Sequence, residues 1–190
     1  LFYVLIEHHG ERELAISNTM RNIFAVFGIF TWSYANTTNM MVSNIIGQQR
    51  QGEVLYLVRK IARLSFFTIV VLCITLNLFP ATLLSIYGTE PGFIADAIPV
   101  VRTISICLIM MSVAVVWLNS ITGTGNTKVN LRIEIASIIA YTIYVFIVVE
   151  KLRLSLVYAW ASEFLYWFIT FVFAWWYMRS GKWKGKEVWR

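Results

Sequence analysis

The 190-residue sequence predicts an all-α integral membrane protein, a bundle of five full transmembrane helices plus the end of a sixth. Three observations carry that expectation. Hydrophobic residues make up 58% of the chain and charged residues 14%, with a mean hydropathy of +0.68; an ordinary soluble domain is about 45–50% apolar and about 25% charged. The few charges leave long gaps: residues 22–49, 64–89 and 103–127 carry none, and 154–178 carries only Glu163. The gaps are continuous apolar runs, without the ten-residue alternation that barrel strands show. A soluble globule of this size could not hide so much apolar surface, and a disordered chain would not contain it. Two Cys exclude a disulfide scaffold.

Inside hydrocarbon every backbone N–H and C=O needs an internal partner, which a helix supplies, and about 20 residues cross the core. The first apolar stretch, residues 1–7, stops at Glu7 and is too short to span. It reads as the end of a helix whose start precedes Leu1, or as an amphipathic turn. Full helices are expected near 20–47, 60–86, 96–121, 129–149 and 154–178, making 1–178 one helical lobe and 179–190 a basic tail. The helix over 129–149 is the shortest, and it borrows residues near Arg132 and Glu134, whose long side chains can snorkel to the headgroups.

Short loops rich in Lys and Arg favour the cytoplasm. Arg50, Arg59, Lys60, Arg63, Lys128, Arg132, Arg179, Lys182, Lys184, Lys186 and Arg190 fall on one side. The other side holds Arg12, Arg21, Arg102, Lys151 and Arg153 together with Glu7, Glu11, Glu13, Glu90, Asp96 and Glu150. The basic side, with the C-terminus, is therefore expected in the cytoplasm, and Trp175, Trp176, Tyr177 and Trp183 fit an aromatic belt there. Topology accounts for the net charge of +6, so no nucleic-acid partner is needed. The tail could also touch anionic lipid.

Polar side chains at membrane depth face other helices or a water-filled cavity. The helix near 20–47 carries Asn22, Asn36, Asn39 and Ser43; the helix near 96–121 carries Arg102, Ser105, Ser112 and Asn119 at steps that keep one face. Both stripes are open to two readings, interhelical hydrogen bonding or the lining of a central cavity. Glu163 lies about 14 Å below the outer end of the last helix, beside Trp160, Tyr166, Trp167 and Thr170. A lone carboxylate at that depth is costly unless protonated or paired, so it marks a proton-coupled site or contacts another part of the protein. The aromatics around it serve lipid packing or, with the carboxylate, could hold an organic cation.

Soluble-enzyme chemistry is missing. His8 and His9 are adjacent, where zinc ligands on a helix sit three or four residues apart, so with Glu7, Glu11 and Glu13 they read as a solvated acidic loop. Cys73 and Cys107 sit in apolar runs as small hydrophobes. Gly123-Thr124-Gly125-Asn126-Thr127 looks nucleotide-like but follows a spanning helix instead of a strand, and reads as a tight turn.

Two loop signatures matter together. Val42-Ser43-Asn44-Ile45-Ile46-Gly47-Gln48, followed by Gln49-Arg50-Gln51-Gly52-Glu53, closes the first full helix; Asn119-Ser120-Ile121-Thr122-Gly123-Thr124-Gly125-Asn126-Thr127 closes the third. An outer loop around Tyr87-Gly88-Thr89-Glu90 separates them, and Leu14-Ala15-Ile16-Ser17-Asn18 follows Gly10. This ordered set resembles the multidrug and toxic compound extrusion (MATE) family over nearly the whole chain. The resemblance implies one lobe, helices 7–12, of a twelve-helix transporter. The family exports cationic and amphipathic compounds in antiport with H+ or Na+ by alternating access. It further implies partners in small organic substrates, the lipid bilayer and an N-terminal lobe of the same polypeptide, no cofactor beyond the coupling ion, and a bacterial inner membrane. Pathway candidates are Glu163, Trp160, Tyr166, Trp167, Asn36, Asn39, Ser112 and Asn119; Gly47, Gln48, Gly123, Gly125, Asn126 and Thr127 carry the loop motifs. One departure stands out: the tenth-helix acid of some members falls here near Val113, which cannot ionise. Coupling would then rest in the other lobe or with Glu163. Two alternatives are a lipid-linked saccharide flippase of the same superfamily, which calls for more cavity cations than Arg21 and Arg102, and a membrane-embedded transferase, for which Glu7, His8 and His9 are the only acid–base cluster.

Overall fold

The computed structural model describes residues 11–87, 91–152 and 154–184. The short segment 1–7, His8, His9 and the end of the tail lie outside the described residues. Every regular element among the described residues is helical.

Helix α1, Glu11–Gly47, runs for 37 residues, about 55 Å at 1.5 Å per residue and well beyond a hydrocarbon core of about 30 Å. It starts nearer the N-terminus than the expected 20–47. Its hydroxyls fold back onto the helix, Thr31 Oγ1 donating to the Gly28 carbonyl at 2.9 Å and Thr38 Oγ1 to the Tyr34 carbonyl at 2.7 Å, so these Thr residues cost little in the helix interior. The helix stops where Gln49 takes a left-handed φ of 60°. That role falls to a glutamine two residues past Gly47.

A 3₁₀ turn over Gln51–Glu53 leads into α2, Val54–Leu78. The sequence reading of one helix over 60–86 is corrected here. Pro80 lacks an N–H and pushes the preceding residue out of the α region; Phe79 sits at φ −128°, ψ 50°, and the chain restarts as the short α3, Pro80–Leu84. Helix α4, Pro91–Gly123, carries Pro99 inside it. Helix α5, Thr127–Val145, continues through a π-helical turn, Phe146–Lys151, so the expected 129–149 gains residues at both ends. Helix α6 spans Leu156–Arg179.

Helix α4 is the axle of the bundle. It packs against α1, α2 and α6, while α5 packs mainly against α6. In its second half the buried positions run all round the helix, the consecutive Ala114, Val115, Val116, Trp117 and Leu118 all being buried, which is the signature of a central helix. Ala97, Ala114, Ser112 and Ser120 are fully buried on it, and small residues of this kind let membrane helices approach closely. Hydrogen bonds stitch the seams: Ser65 Oγ donates to the Ser112 carbonyl (2.8 Å), Asn77 Nδ2 to Ser105 Oγ (2.7 Å) and Thr170 Oγ1 to Ser137 Oγ (2.9 Å).

Among the described residues, four helices are long and apolar enough to cross a membrane: Gln51–Leu78, Gly92–Gly123, Thr127–Lys151 and Leu156–Arg179. Helix α1 has the length but not the apolar composition, so the expected set of five spans reduces to four by this measure. The architecture is an all-α membrane bundle. The exposed faces of α2 (Leu64, Phe67, Val71, Ile74), α5 (Leu131, Ile135, Ile138, Ile139, Ile143) and α6 (Phe164, Phe168, Val172, Phe173) are apolar, as lipid contact requires.

Candidate functional site

Three groups of side chains stand out, and the first joins the two loop motifs. The C-terminal turns of α1 and α4 touch at Gly123. A Cβ there would come within 2.8 Å of both the Asn39 carbonyl oxygen and Val42 Cβ. Ser43 Oγ donates to the Gly123 carbonyl at 3.0 Å. Gly125 follows at φ 78°, a conformation that glycine adopts without penalty. Asn126 is buried, its amide donating to Thr124 Oγ1 at 2.9 Å, and Thr127 opens α5. On the α1 side, Gln48 Nε2 donates to Asn44 Oδ1 (2.9 Å), Arg50 Nη1 to Gln48 Oε1 (3.2 Å), and Arg50 forks onto the Glu53 carboxylate through Nε and Nη2. Glu53 raises the Arg50 pKa above its ordinary value by accepting these bonds. Gly47 faces open space.

The second group is the outward face of α1. Asn22, Ser33, Asn36 and Thr37 are exposed there among Phe30, Trp32, Met40 and Met41. Ser33 and Thr37 bond to their own helix, to the Ile29 and Ser33 carbonyls. The Asn36 amide points outward, and Asn39 is half-buried at the α4 contact. An amide in hydrocarbon is costly, so this face differs in kind from those of α2, α5 and α6.

The third group lies on the inner face of α6. Glu163 is half-buried, within electrostatic reach of Cys107 on α4 and of Tyr166. Trp167 is one turn along; its Nε1 is buried and has no hydrogen-bond partner, interacting with Glu163 outside hydrogen-bonding geometry. Tyr166 stands edge-on to Trp167 (ring centroids 4.8 Å apart) and to Tyr141 of α5 (6.3 Å). Trp160 is buried and its Nε1 donates to Ser17 Oγ of α1 at 3.4 Å. Both cysteines are buried and donate to backbone carbonyls, Cys73 to Ser105 and Cys107 to Trp160.

The fold thus gathers Trp160, Glu163, Tyr166 and Trp167, and leaves Asn36 on a different helix face with no hydrogen bond to them. Ser112 is fully buried, its hydroxyl bonded to the Ile109 carbonyl; Asn119 is half-buried and bonds back to the Val115 carbonyl. Glu134 is a residue whose place the sequence reading missed. It is half-buried, accepts from Asn130 Nδ2 at 3.2 Å and lies within electrostatic reach of Tyr166. The spacing of Asn130, Glu134, Ser137 and Tyr141, steps of four, three and four, was the available signal for one polar stripe on α5. Asn130 Oδ1 in that stripe is buried without a hydrogen-bond partner.

A polytopic helical bundle with apolar outer faces and a single polar one defines the class, an integral membrane protein. A model of the MatE family matches residues 1–148, and the chain belongs to that family. Its members are transporters, not enzymes. No curated protein and no solved structure matches the chain. The match covers α1 to α5 and reaches into the π-helical turn that follows; α6, with Glu163, lies beyond it.

Proposed function

We propose that the chain is the C-terminal lobe of a secondary active efflux transporter. It exports organic compounds, cationic or amphipathic, in antiport with H+ or Na+. Transport proceeds by alternating access between this lobe and an N-terminal lobe of the same polypeptide. The membrane is a bacterial inner membrane, and the C-terminus is cytoplasmic.

The observation that carries this reading is the outward face of α1. Asn22, Ser33, Asn36 and Thr37 cannot all face lipid, whereas a water-filled cleft between two lobes satisfies them. Trp32, Phe30, Met40 and Met41 on the same face add polarizable apolar surface suited to varied amphipathic solutes. Asn36 and Asn39 then contact substrate or its water. Ser112 and Asn119 support the wall from α4. Glu163, with Trp160, Tyr166 and Trp167, carries the coupling proton or answers to it. Gly123 of the second family loop, packed on Asn39 and Val42 and bonded to Ser43, holds the cytoplasmic ends of α1 and α4 together as the lobe rocks.

Thiol accessibility tests this. In the full-length protein, Asn36→Cys is expected to react with a membrane-impermeant thiol reagent, and excess substrate to slow the reaction. Ile138→Cys, on the exposed α5 face, is expected to stay unreactive. The two cysteines of this chain, Cys73 and Cys107, are buried and add little background, and the parent protein without Asn36→Cys serves as the blank. An unreactive Asn36→Cys, or equal reactivity at both positions, would overturn the assignment of α1 to a solute passage.

A further inference from the structure

The end of α6 is more than a run of basic residues. The helix finishes at Arg179, Gly181 takes a left-handed φ of 70°, and the Lys184 N–H donates to the Gly181 carbonyl at 2.9 Å. Trp183 folds back against the helix end: it is 3% exposed, and its Nε1 donates to the Met178 carbonyl at 2.8 Å. This turn fixes where the neighbouring cations stand. The Arg179 guanidinium lies 4.9 Å from the ring centroid of Trp175; Lys182 Nζ is 5.6 Å from the Trp176 ring and Lys184 Nζ 5.6 Å from the Trp183 ring.

Each cation is exposed, and no carboxylate pairs with any of the three among the described residues. An aromatic face holds a cation without neutralising it, which leaves the outer side of each charge free for an anion. Tryptophan also sits by preference at the depth of the lipid headgroups, and Trp176 is 60% exposed there at the lipid-facing edge of α6. Three held cations beside an exposed indole, where the helix leaves the hydrocarbon, match a phosphodiester carrying acyl chains. The side-chain entropy of three long residues is already partly spent in the free protein.

We propose that the C-terminal end of α6 is a binding site for an anionic phospholipid headgroup, formed by Arg179, Lys182 and Lys184 seated on Trp175, Trp176 and Trp183. It requires only that the chain be membrane-embedded and is independent of the transport cycle.

Native mass spectrometry of the full-length protein in detergent, titrated with phosphatidylglycerol or phosphatidylcholine, tests it. Phosphatidylglycerol is expected to bind tightly and phosphatidylcholine weakly. Each of Arg179→Gln, Lys182→Gln and Lys184→Gln lowers the phosphatidylglycerol affinity about fivefold, and the triple variant about a hundredfold. Trp175→Leu with Trp176→Leu keeps the charges and loses about two- to fivefold per ring. The triple Arg59→Gln, Lys60→Gln, Arg63→Gln removes the same charge from an exposed edge of α2 and leaves that affinity within about twofold of the parent, short of the fivefold expected for one lost charge at the site. Equal losses in the two triple variants would reduce the effect to net charge and overturn the site. So would displacement of the lipid by inorganic phosphate as effective as by phosphatidylglycerol itself, or an unchanged affinity in the Arg179–Lys184 triple. Unaltered thermal unfolding of each variant confirms that the losses are not misfolding.

Discussion

Glu163 is the residue to which the proposed function assigns coupling in this lobe. It is the one acid in the stretch 154–178, and no cation pairs with it among the described residues. The side chains within reach of it are Cys107, Tyr166 and Trp167, a surrounding that solvates a charge poorly. A carboxylate with no base beside it among the described residues is what the proposed coupling role calls for; a structural role would instead pair it with another part of the protein. Glu163→Gln in the full-length protein is therefore expected to leave the fold at least as stable, because an amide of the same shape cannot carry the charge that these surroundings solvate poorly. The same change is expected to weaken export and to flatten its dependence on external pH. Thermal unfolding and drug efflux measured side by side check both. A variant that exports normally, with its pH response intact, removes Glu163 from the coupling step; one that is destabilised makes it a structural contact.

At the scale of elements, α1 comes close to α4 at Gly123, where no side chain fits between the Asn39 carbonyl and Val42. Gly123→Ala forces a rigid backbone oxygen and a Cβ aside, an overpacking that costs about 1–3 kcal/mol. At about 2–4 °C per kcal/mol for a chain of this size, the unfolding midpoint is expected to fall by several degrees. Gly47→Ala, which meets nothing within 4 Å, is expected to leave it unchanged or slightly raised; equal losses at the two glycines would show that the α1–α4 contact is not the reason for Gly123. The residues made much of this layout legible in advance. Charge-free windows located the long helices because desolvating a charge is costly everywhere in the hydrocarbon. Helix breaks were harder to see: Pro80 stood in plain view, but the apolar run through Leu78 and Phe79 masked it. The start of α1 at Glu11 was hidden because a helix can leave the membrane and continue in water, where hydropathy no longer marks it. For the candidate site, spacing alone placed Glu163 with its aromatic neighbours on one helix. It could not tell that Ser112 would be buried against α2 or that Glu134 would face α6, since both depend on how the helices are rotated about their axes.

For the molecule as a whole, orientation follows from where the folded bundle exposes its charges. The C-terminal ends of α1, α4 and α6 lie on the same side as the starts of α2 and α5, because each connection between long helices reverses direction. Arg59, Lys60 and Arg63 on α2, Lys128 and Arg132 on α5, and Arg179, Lys182 and Lys184 after α6 are all exposed at that end. Asp96 and Glu150 are exposed toward the opposite end, together with Arg21, Arg102 and Lys151. Retention of Lys and Arg in short loops sets orientation during insertion, whereas acids count for little, so three basic helix ends on one side outweigh the scattered cations on the other. A reporter that is active only in the cytoplasm, fused after Arg190, is expected to be active, and a periplasmic reporter at the same point to be silent. Moving the bias is the stronger test. Neutralising Arg59, Lys60, Arg63, Lys128 and Arg132 to Gln, while adding Lys on the opposite end, is expected to yield a mixed population in which both reporters register. A single orientation that survives this reversal would show that something other than these charges decides how the bundle sits.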